Sequence, residues 1–337
     1  MSSRVGIRSI HNRGGRLVDL FCGGGGFSLG AHQAGFQVAA SFDNDAILSS
    51  SYKYNFPKTK FVLKDVRSLD GDAICAAAGG PIDGIFGGPP CQGFSSIGRR
   101  SPDDPRRQLL HHFFRIVNDV QPAFFVMENV RGLSYDNAVG ELEDGLQLVK
   151  DQYAIMGPHI WDARNFGAAT TRPRLFVIGI HKDPGDALNV ADIESFKREY
   201  ARALRSSDRC FTGQRWTAHS QQVIERFANV PQGGIDPVGR HPRLAWSGQC
   251  PTLRAGTGVD RGSYQSVRPI HPEHPRVITV REAARLQGFP DGHRFHPTVW
   301  HSFRMIGNSV SPPMARAIFC SIQAKLAGLC PIAMAAE

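Results

Sequence analysis

The sequence predicts an α/β fold in which a doubly wound parallel sheet is followed by a smaller, irregular second lobe. Short apolar, β-rich runs alternate with helical patterns from about residue 16 to residue 180, and several of these runs end in a polar side chain. After Ile180 the pattern gives way to a stretch rich in Pro, Gly and Arg. Alternating strands and helices indicate a parallel sheet with helices on both faces. The change of pattern indicates a second lobe.

The first strand is predicted at residues 17–20, before a glycine run and the start of a helix. Glycines let the backbone approach a ligand closely, but a lone glycine run is as consistent with an ordinary strand-to-helix turn. The second strand, residues 38–43, ends in Asp43 about 20 residues later, where doubly wound folds hold a ribose hydroxyl. The third, residues 60–66, carries Asp65 near its end. Polar groups at three successive strand ends favour a cofactor that contains adenosine.

The fourth strand, residues 82–86, runs into a turn rich in Gly and Pro that presents Cys91. Ligands of open α/β sheets bind at strand ends, and a thiol on a stiff turn suits nucleophilic attack. A lone cysteine in a tight turn is more often structural, so this assignment depends on its neighbours. Residues 96–105 are rich in Gly, Pro, Ser and charge without an apolar period, which predicts a mobile lid. Helices are predicted at residues 45–56, 106–120 and 311–326.

The fifth strand, residues 124–130, carries Glu128 at the carboxyl edge of the sheet. Shielding from water there raises the pKa of a glutamate towards the range useful for proton donation, although a surface glutamate at a strand end is the commoner case. Arg172 and Arg174 stand immediately before a further strand. Their guanidinium groups stay charged and offer planar sets of donors, although a solvated basic loop reads the same way.

Taken in order, these segments resemble the DNA (cytosine-5)-methyltransferase family over nearly the whole chain. The matching motifs lie at residues 19–26, at Cys91 in Pro-Pro-Cys-Gln, at residues 128–130, at Arg172 and Arg174, at residues 279–291 and at residues 307–312. Six ordered matches are specific, although any one alone is not. The resemblance implies a Rossmann-like S-adenosylmethionine-dependent methyltransferase domain with a smaller, irregular target-recognition domain.

The resemblance also implies a mechanism for sequence-specific methylation of cytosine in double-stranded DNA. Cys91 adds to C6 of the base, Glu128 supports N3, and Arg174, beside Arg172, holds O2. C5 then takes a methyl group from S-adenosyl-L-methionine, and loss of the C5 proton with departure of Cys91 restores aromaticity. Because a stacked base cannot reach a thiol in a pocket, the cytosine must be flipped out of the duplex.

Two sets of binding residues follow from the resemblance. In the cofactor set, Phe21 lies against the adenine, Asp43 on the ribose and Asp65 near the adenine amino group, and residues 308–310 close the site. The full cofactor set is Asp19, Phe21, Cys22, Gly23, Gly25, Gly26, Asp43, Asn44, Asp65, Val66, Pro90, Leu109, Asn308, Ser309 and Val310. The DNA-contacting set is Gln92, Ser95, Arg106, Thr252, Arg254 and Arg261.

Arg254 and Arg261 are the candidates for reading bases, although phosphate contact is the commoner role of any single arginine. The chain departs from the family pattern at Asn44, where a bulky apolar residue is frequent, and at Thr170, where glutamine is usual. These departures concern the stacking at one adenine face and the role of position 170.

The resemblance divides the chain into a discontinuous catalytic domain and one insertion. The predicted parts are a flexible basic tail at 1–15, the catalytic and cofactor-binding domain at 16–180, the target-recognition domain at 181–276, a return to the catalytic domain at 277–328 and a tail at 329–337.

Composition agrees with a nucleic-acid partner. The 337 residues carry a formal net charge of +9, and Lys and Arg gain affinity for polyanions by displacing counterions. The seven cysteines include no CxxC pair, and the histidines lack ligand spacing. We therefore expect reduced thiols, no metal and a cytoplasmic, nucleoid-associated protein. With no long apolar stretch, no membrane contact is expected. We also expect a monomer, with any cognate restriction endonuclease acting separately.

Two alternatives stay open at this point. A tRNA cytosine-5 methyltransferase shares the catalytic set, and residues 210–212 resemble a tripeptide of that family; against it, Gly93 stands where those relatives tend to have proline. The other alternative is a catalytically silent DNA-binding relative, against which the intact set of Cys91, Glu128 and Arg174 argues.

Overall fold

The computed structural model describes residues 15–90, 108–135, 139–182, 188–197, 217–256 and 266–327. At its centre is one seven-stranded sheet with the strand order β3-β2-β1-β4-β5-β7-β6. The strands are β1 (Arg16–Leu20), β2 (Gln37–Asp43), β3 (Lys60–Leu63), β4 (Gly84–Gly87), β5 (Phe124–Val130), β6 (Tyr153–Asp162) and β7 (Pro173–His181).

The sheet is mixed, not wholly parallel. Strands β1 to β5 are parallel, whereas β7 pairs antiparallel with β5 on one side and with β6 on the other. The doubly wound α/β class is confirmed, but the prediction of a parallel sheet is wrong for β7. A parallel strand needs a long crossover connection, and the short link from β6 to β7 permits only an antiparallel neighbour. As a result, the start of β7 lies at the same edge as the carboxyl end of β5.

Ten helices occur among the described residues. They are α1 (Gly26–Gln33), α2 (Tyr52–Asn55), α3 (Gly71–Ala78), α4 (Gln108–Val120), α5 (Val139–Gln147), α6 (Val190–Glu194), α7 (Gln221–Ala228), α8 (Val280–Gln287), α9 (Val299–Asn308) and α10 (Pro312–Leu326). Helices α4 and α10 match the predictions for residues 106–120 and 311–326 as far as the described residues reach. Within the described part of the chain, no helix has both the length and the apolar character to cross a bilayer.

Two predicted elements are shorter than expected, for one physical reason. The helix predicted at 45–56 is mostly turns before α2, where the hydroxyls of Ser49 and Ser50 donate to the carbonyl oxygens of Asp45 and Ile47. The strand predicted at 60–66 stops at Leu63, because Asp65 caps a 3-10 turn over Val66–Ser68. Short polar side chains thus offer the backbone a local alternative to helix or sheet.

A separate apolar core covers each face of the sheet. Helices α3, α4 and α5 bury one face, with Phe113 and Phe114 fully enclosed. Helices α1 and α10 bury the other, so the chain's last described helix returns to the large lobe. Residues 188–196 also belong to this second core through Leu188, Ile193 and Phe196. These apolar side chains therefore pack with the large lobe, and the target-recognition boundary at 181 stays a prediction.

The smaller lobe is irregular, as predicted, and is organised around a buried arginine. Its own apolar cluster is small and consists of Phe227, Val230, Ile270 and Val277. The Arg243 guanidinium donates to five main-chain carbonyls, those of residues 227, 228, 230, 272 and 273. Three of these carbonyls lie at or just beyond the end of α7, where a positive charge also complements the helix dipole. Hydrogen bonds from Arg243 thus contribute stability that a larger apolar core would otherwise supply in this lobe.

Candidate functional site

The antiparallel pairing of β7 with β5 brings two predicted catalytic side chains together. Val130 pairs with Arg174 in the sheet register, and Nε of Arg174 lies 3.0 Å from Oε1 of Glu128. Both side chains are largely enclosed, with exposures of 9% for Glu128 and 12% for Arg174. Burial raises the pKa of Glu128 above its ordinary value, and the charges of Arg174 and Arg172 oppose that rise. A shielded carboxyl able to hold a proton therefore lies at the carboxyl edge.

Arg172 lies beside this pair but is directed to main-chain carbonyls. It is only 1% exposed, and its guanidinium donates to the carbonyl oxygens of Gly307 at 2.8 Å and Leu253 at 3.5 Å. Burial, followed by the charge of Arg174, lowers its pKa. The side chain therefore connects the start of β7 with the end of α9 and with the small lobe.

The turn after β4 passes directly beside Glu128. A Cβ built on Gly88 would lie 2.9 Å from Oε2 of Glu128, and one on Gly87 would lie 2.2 Å from the carbonyl oxygen of Leu20. Nδ2 of Asn129 donates to the carbonyl oxygen of Pro89 at 3.3 Å. Only glycines permit this close approach, so the Gly-Gly pair seats the turn against the acid. Pro90 is half-buried at the end of this turn.

Several predicted site residues lie outside the described part of the chain. They are Cys91, Gln92, Ser95, Arg106 and Arg261. Their assignments as nucleophile and DNA contacts stay predictions.

The glycine turn between β1 and α1 is closely packed at Gly25 and Gly26 and open at Gly23. Gly25 has a φ of 80°, and a Cβ there would lie 2.3 Å from the Phe56 ring. A Cβ on Gly26 would lie 2.3 Å from the carbonyl oxygen of Val310. At Gly23, by contrast, an added Cβ would meet nothing within 4 Å. The backbone of this turn is therefore accessible at Gly23.

Two acids hold the turn, each in a different way. Oδ2 of Asp43 accepts from the backbone N–H of Gly23 at 2.8 Å, and burial raises the Asp43 pKa to about 6. Asp19 is 1% exposed beneath the turn, where it accepts from the Ser28 hydroxyl. Burial raises its pKa well above the ordinary value. Asp19 thus supports the turn from its buried side, while Asp43 is partly exposed. The Cys22 thiol is buried, with its pKa raised for the same reason.

The ends of β2 and β3 carry a polar pair at the predicted adenine position. Asn44 is exposed, and its Nδ2 lies 3.3 Å from Oδ2 of Asp65. Asp65 also pairs with Arg67 at 2.7 Å, and this hydrogen bonding lowers the Asp65 pKa to about 2. Val66 and Leu109 lie in the apolar core below. Phe21 is partly buried, with a φ of 68°, and packs against that core.

The segment that ends α9 and follows it packs against the glycine turn, while its assignment to the cofactor site stays a prediction. A Cβ on Gly24 would lie 3.2 Å from the Ser309 hydroxyl oxygen. The carbonyl oxygen of Ser309 accepts from Nε2 of Gln287 at 3.0 Å. Asn308 is exposed, whereas Val310 is buried. Residues far apart in sequence therefore converge on one turn.

Thr252 joins the two lobes through its side chain. Its hydroxyl donates to the carbonyl oxygen of Thr171 at 2.5 Å, so this donor is engaged within the protein. Thr170 is fully buried, and its hydroxyl donates to the carbonyl oxygen of Pro251 at 3.3 Å, which gives the side chain at position 170 a structural role. Arg254 remains exposed and borders a cavity of about 210 Å³. Of these small-lobe candidates, Arg254 has the solvent-facing side chain.

His293 contacts the glycine turn, although none of the sequence motifs includes it. Its ring is 5% exposed, and Nε2 lies 2.9 Å from the carbonyl oxygen of Gly24. No spacing pattern singles out this histidine, because its partner is a backbone atom 269 residues away. Among the described residues, no group of three or more His, Cys, Asp or Glu side chains is arranged to hold a metal ion.

Comparison with known proteins shows that this chain is similar to DNA methyltransferases over most of its length. A family model for C-5 cytosine-specific DNA methylase matches residues 15–324. Type II methyltransferase M.XorII of Xanthomonas oryzae pv. oryzae is 39% identical, over 89% of this chain and 82% of that protein. Type II methyltransferase M.DdeI of Desulfomicrobium norvegicum is 30% identical, over 90% of this chain and 87% of that protein.

Solved structures show the same likeness. A structure from E. coli, described as a DNA modification methyltransferase encoded within a prophage, is 38% identical with a TM-score of 0.80. The match covers 93% of this chain and 99% of the other. The S. pombe Dnmt2 methyltransferase, at 20% identity and a TM-score of 0.69 over 93% of this chain and 99% of that one, shares the fold.

Proposed function

This chain belongs to the C-5 cytosine-specific DNA methylase family and is a DNA (cytosine-5)-methyltransferase, and from that premise we propose that it methylates a flipped-out cytosine through a covalent Cys91–C6 intermediate. The observation that carries the proposal is the buried Glu128–Arg174 pair beside the turn that ends at Pro90. This pair supplies an acid and a cation beside the turn that leads into the predicted nucleophile.

The proposed reaction assigns one task to each of three side chains. The Cys91 thiolate forms a bond to C6, while Glu128 holds a proton at N3 and the Arg174 guanidinium binds O2. The contacts at N3 and O2 draw electron density away from C6 and so promote the addition. The resulting adduct is an enamine in which C5 is nucleophilic. After methyl transfer, the C5 proton is lost and the bond between C6 and sulfur breaks, which returns the thiolate. Glu128 can play this part because burial raises its pKa.

The residues at the carboxyl edge fit S-adenosyl-L-methionine. The open backbone at Gly23 accommodates a ligand, Asp43 offers a carboxylate to ribose hydroxyls, and Asp65 lies at the predicted adenine end. When bound, this cofactor supplies the methyl group. The chain's own contribution is to orient it, through the glycine turn and residues 308–310.

Asn44 changes how the adenine would be held. Its amide already bonds to Asp65, so a polar edge contact replaces the bulky apolar side chain frequent in the family. We propose that adenine recognition here depends on the Asn44–Asp65 edge more than on stacking at that face.

Double-stranded DNA is the proposed substrate, in a cleft between the lobes. The net charge of +9 favours a polyanion, and the exposed Arg254 is the described small-lobe candidate for contacting it. Gln92, Ser95, Arg106 and Arg261 complete the proposed DNA-contacting set. We further propose a monomer that acts at the nucleoid, with any cognate restriction endonuclease working separately.

Covalent trapping tests the reaction. Duplexes of randomised sequence containing 5-fluorocytosine, incubated with S-adenosylmethionine, should give an adduct stable in denaturant, because fluorine at C5 cannot leave as a proton does. Cys91→Ala should give none. Cys75→Ala, which removes a half-buried thiol on α3, is the matched control and should behave like the wild type. An adduct with Cys91→Ala, or none with the wild type, would overturn the proposed route.

A further inference from the structure

We propose that His293 is a positioning residue for the cofactor turn, which it holds in its binding conformation through a hydrogen bond to the carbonyl oxygen of Gly24. This inference rests on the proposed function, because it takes the glycine turn as the cofactor site. His293 follows α8 in the C-terminal part of the catalytic domain, and none of the motif assignments includes it.

The donor and acceptor roles follow from the neighbours of His293. Asn55 is fixed by two bonds to the backbone of Arg294: its Oδ1 accepts from that N–H at 2.8 Å, and its Nδ2 donates to that carbonyl at 2.9 Å. Nε2 of His293 lies 2.9 Å from the Gly24 carbonyl oxygen, which can only accept. It also lies 3.1 Å from Nδ2 of Asn55, whose amide already donates to the Arg294 carbonyl oxygen. Burial lowers the His293 pKa to about 4, so the ring is neutral near neutral pH. The arrangement therefore calls for the tautomer protonated at Nε2.

This contact fixes one peptide unit from both sides. The carbonyl of the Gly24–Gly25 peptide accepts from His293, and its N–H, carried by Gly25, donates to the carbonyl oxygen of Cys22 at 2.8 Å. The peptide therefore cannot rotate without losing two hydrogen bonds. Gly23, whose backbone is open to a ligand, lies immediately before this unit.

A run of glycines needs such a restraint. Glycine has the largest backbone freedom to lose on ordering, and residues 23–26 are all glycine. A turn ordered before the cofactor arrives removes that entropic cost from binding, which is how preorganisation raises affinity. His293 is well placed to provide this restraint, because its own ring packs against two aromatic rings. The distance between ring centroids is 4.7 Å to Phe289 and 5.0 Å to Phe295.

Two substitutions separate the hydrogen bond from the packing. His293→Phe keeps an aromatic ring among Phe56, Phe289 and Phe295 but removes the donor. His293→Gln removes the ring but restores an N–H near the position of Nε2. If the hydrogen bond is what matters, the glutamine variant should resemble the wild type and the phenylalanine variant should not.

The measurement is calorimetric binding of S-adenosylhomocysteine to the full chain. We expect His293→Phe to weaken binding about 3- to 10-fold, the range for losing one buried hydrogen bond, and His293→Gln to restore it. The apparent KM for S-adenosylmethionine should rise in the phenylalanine variant while kcat at saturation stays close to that of the wild type. In the free protein, hydrogen exchange should increase at the Gly25 amide.

The outcomes are distinguishable. If the wild type binds S-adenosylhomocysteine and His293→Phe binds equally well, the positioning role is wrong. If both variants are weakened alike, packing and not the hydrogen bond is responsible, which also overturns the inference. If the wild type binds no S-adenosylhomocysteine at all, the cofactor assignment itself fails, and this inference fails with it.

Discussion

Replacing Arg174 with methionine is expected to lower the free energy of unfolding by about 3–5 kcal/mol at neutral pH, because it leaves the Glu128 carboxylate buried without its partner. The size follows from burial: the pair is 3.0 Å apart with exposures of only 9% and 12%. The matched control is Arg67→Met. Arg67 pairs with Asp65 at a shorter 2.7 Å, but the two side chains are 49% and 25% exposed. An exposed pair contributes about 0–1 kcal/mol, so the control should lose little.

The assay is urea unfolding of both variants as a function of pH. Loss of Arg174 removes a charge that lowers the Glu128 pKa, so that pKa should rise further above its ordinary value of 4.5. A carboxyl whose pKa is raised in the folded state takes up a proton on folding, so stability is gained as pH falls. As the pH falls from the raised pKa of Glu128 to about 4.5, the Arg174→Met variant should therefore recover stability. Equal losses in the two variants, or a loss independent of pH, would refute the reasoning.

Three further predictions concern other parts of the molecule. Arg243→Met should lower the free energy of unfolding by at least about 2 kcal/mol in urea, since each orphaned buried carbonyl costs roughly 1–3 kcal/mol; a loss below that would contradict the role of its five carbonyl contacts. With the Asp43 pKa at about 6, S-adenosylhomocysteine affinity by calorimetry should fall from about pH 7 to about pH 5 as the carboxylate takes a proton, and Asp43→Asn should remove that dependence. Gly26→Ala should lower Tm and weaken cofactor binding because its Cβ would lie 2.3 Å from the Val310 carbonyl oxygen; the control Gly140→Ala, with open space around it, should do neither.

Strand ends were the most predictable part of this molecule. Apolar runs identified β1, β2, β4 and β5, and parallel strands necessarily bring their carboxyl ends to one edge. That geometry is enough to place Asp43 and Glu128 at the same edge of the sheet. The raised pKa of Glu128 was also foreseen, because burial of a strand end follows from the apolar run before it.

The direction of β7 was not predictable from local pattern. An apolar run looks the same in either direction, and only the short connection from β6 requires an antiparallel strand. Yet that direction is what places Arg174 beside Glu128. The family resemblance predicts that these two residues act together, and the fold explains why their side chains lie close to each other.

Contacts to backbone atoms were also beyond sequence reasoning. The hydroxyl of Thr252, which stays a predicted DNA contact, donates to the carbonyl oxygen of Thr171, and no motif indicates this bond. His293 carried no signal because its acceptor is the carbonyl oxygen of Gly24. Every residue has such a carbonyl, so no sequence pattern marks the one that a distant side chain will reach.

The measurement that tests the central claim most directly is a methylation map. The wild-type chain and Cys91→Ala are expressed separately in a host lacking cytosine methylation, and 5-methylcytosine is located across total DNA and tRNA by bisulfite sequencing. We predict methylation at one short DNA motif, absent in the Cys91→Ala strain, which would also reveal the recognised sequence. A mark confined to tRNA, or no mark with the wild type, would contradict the proposed function.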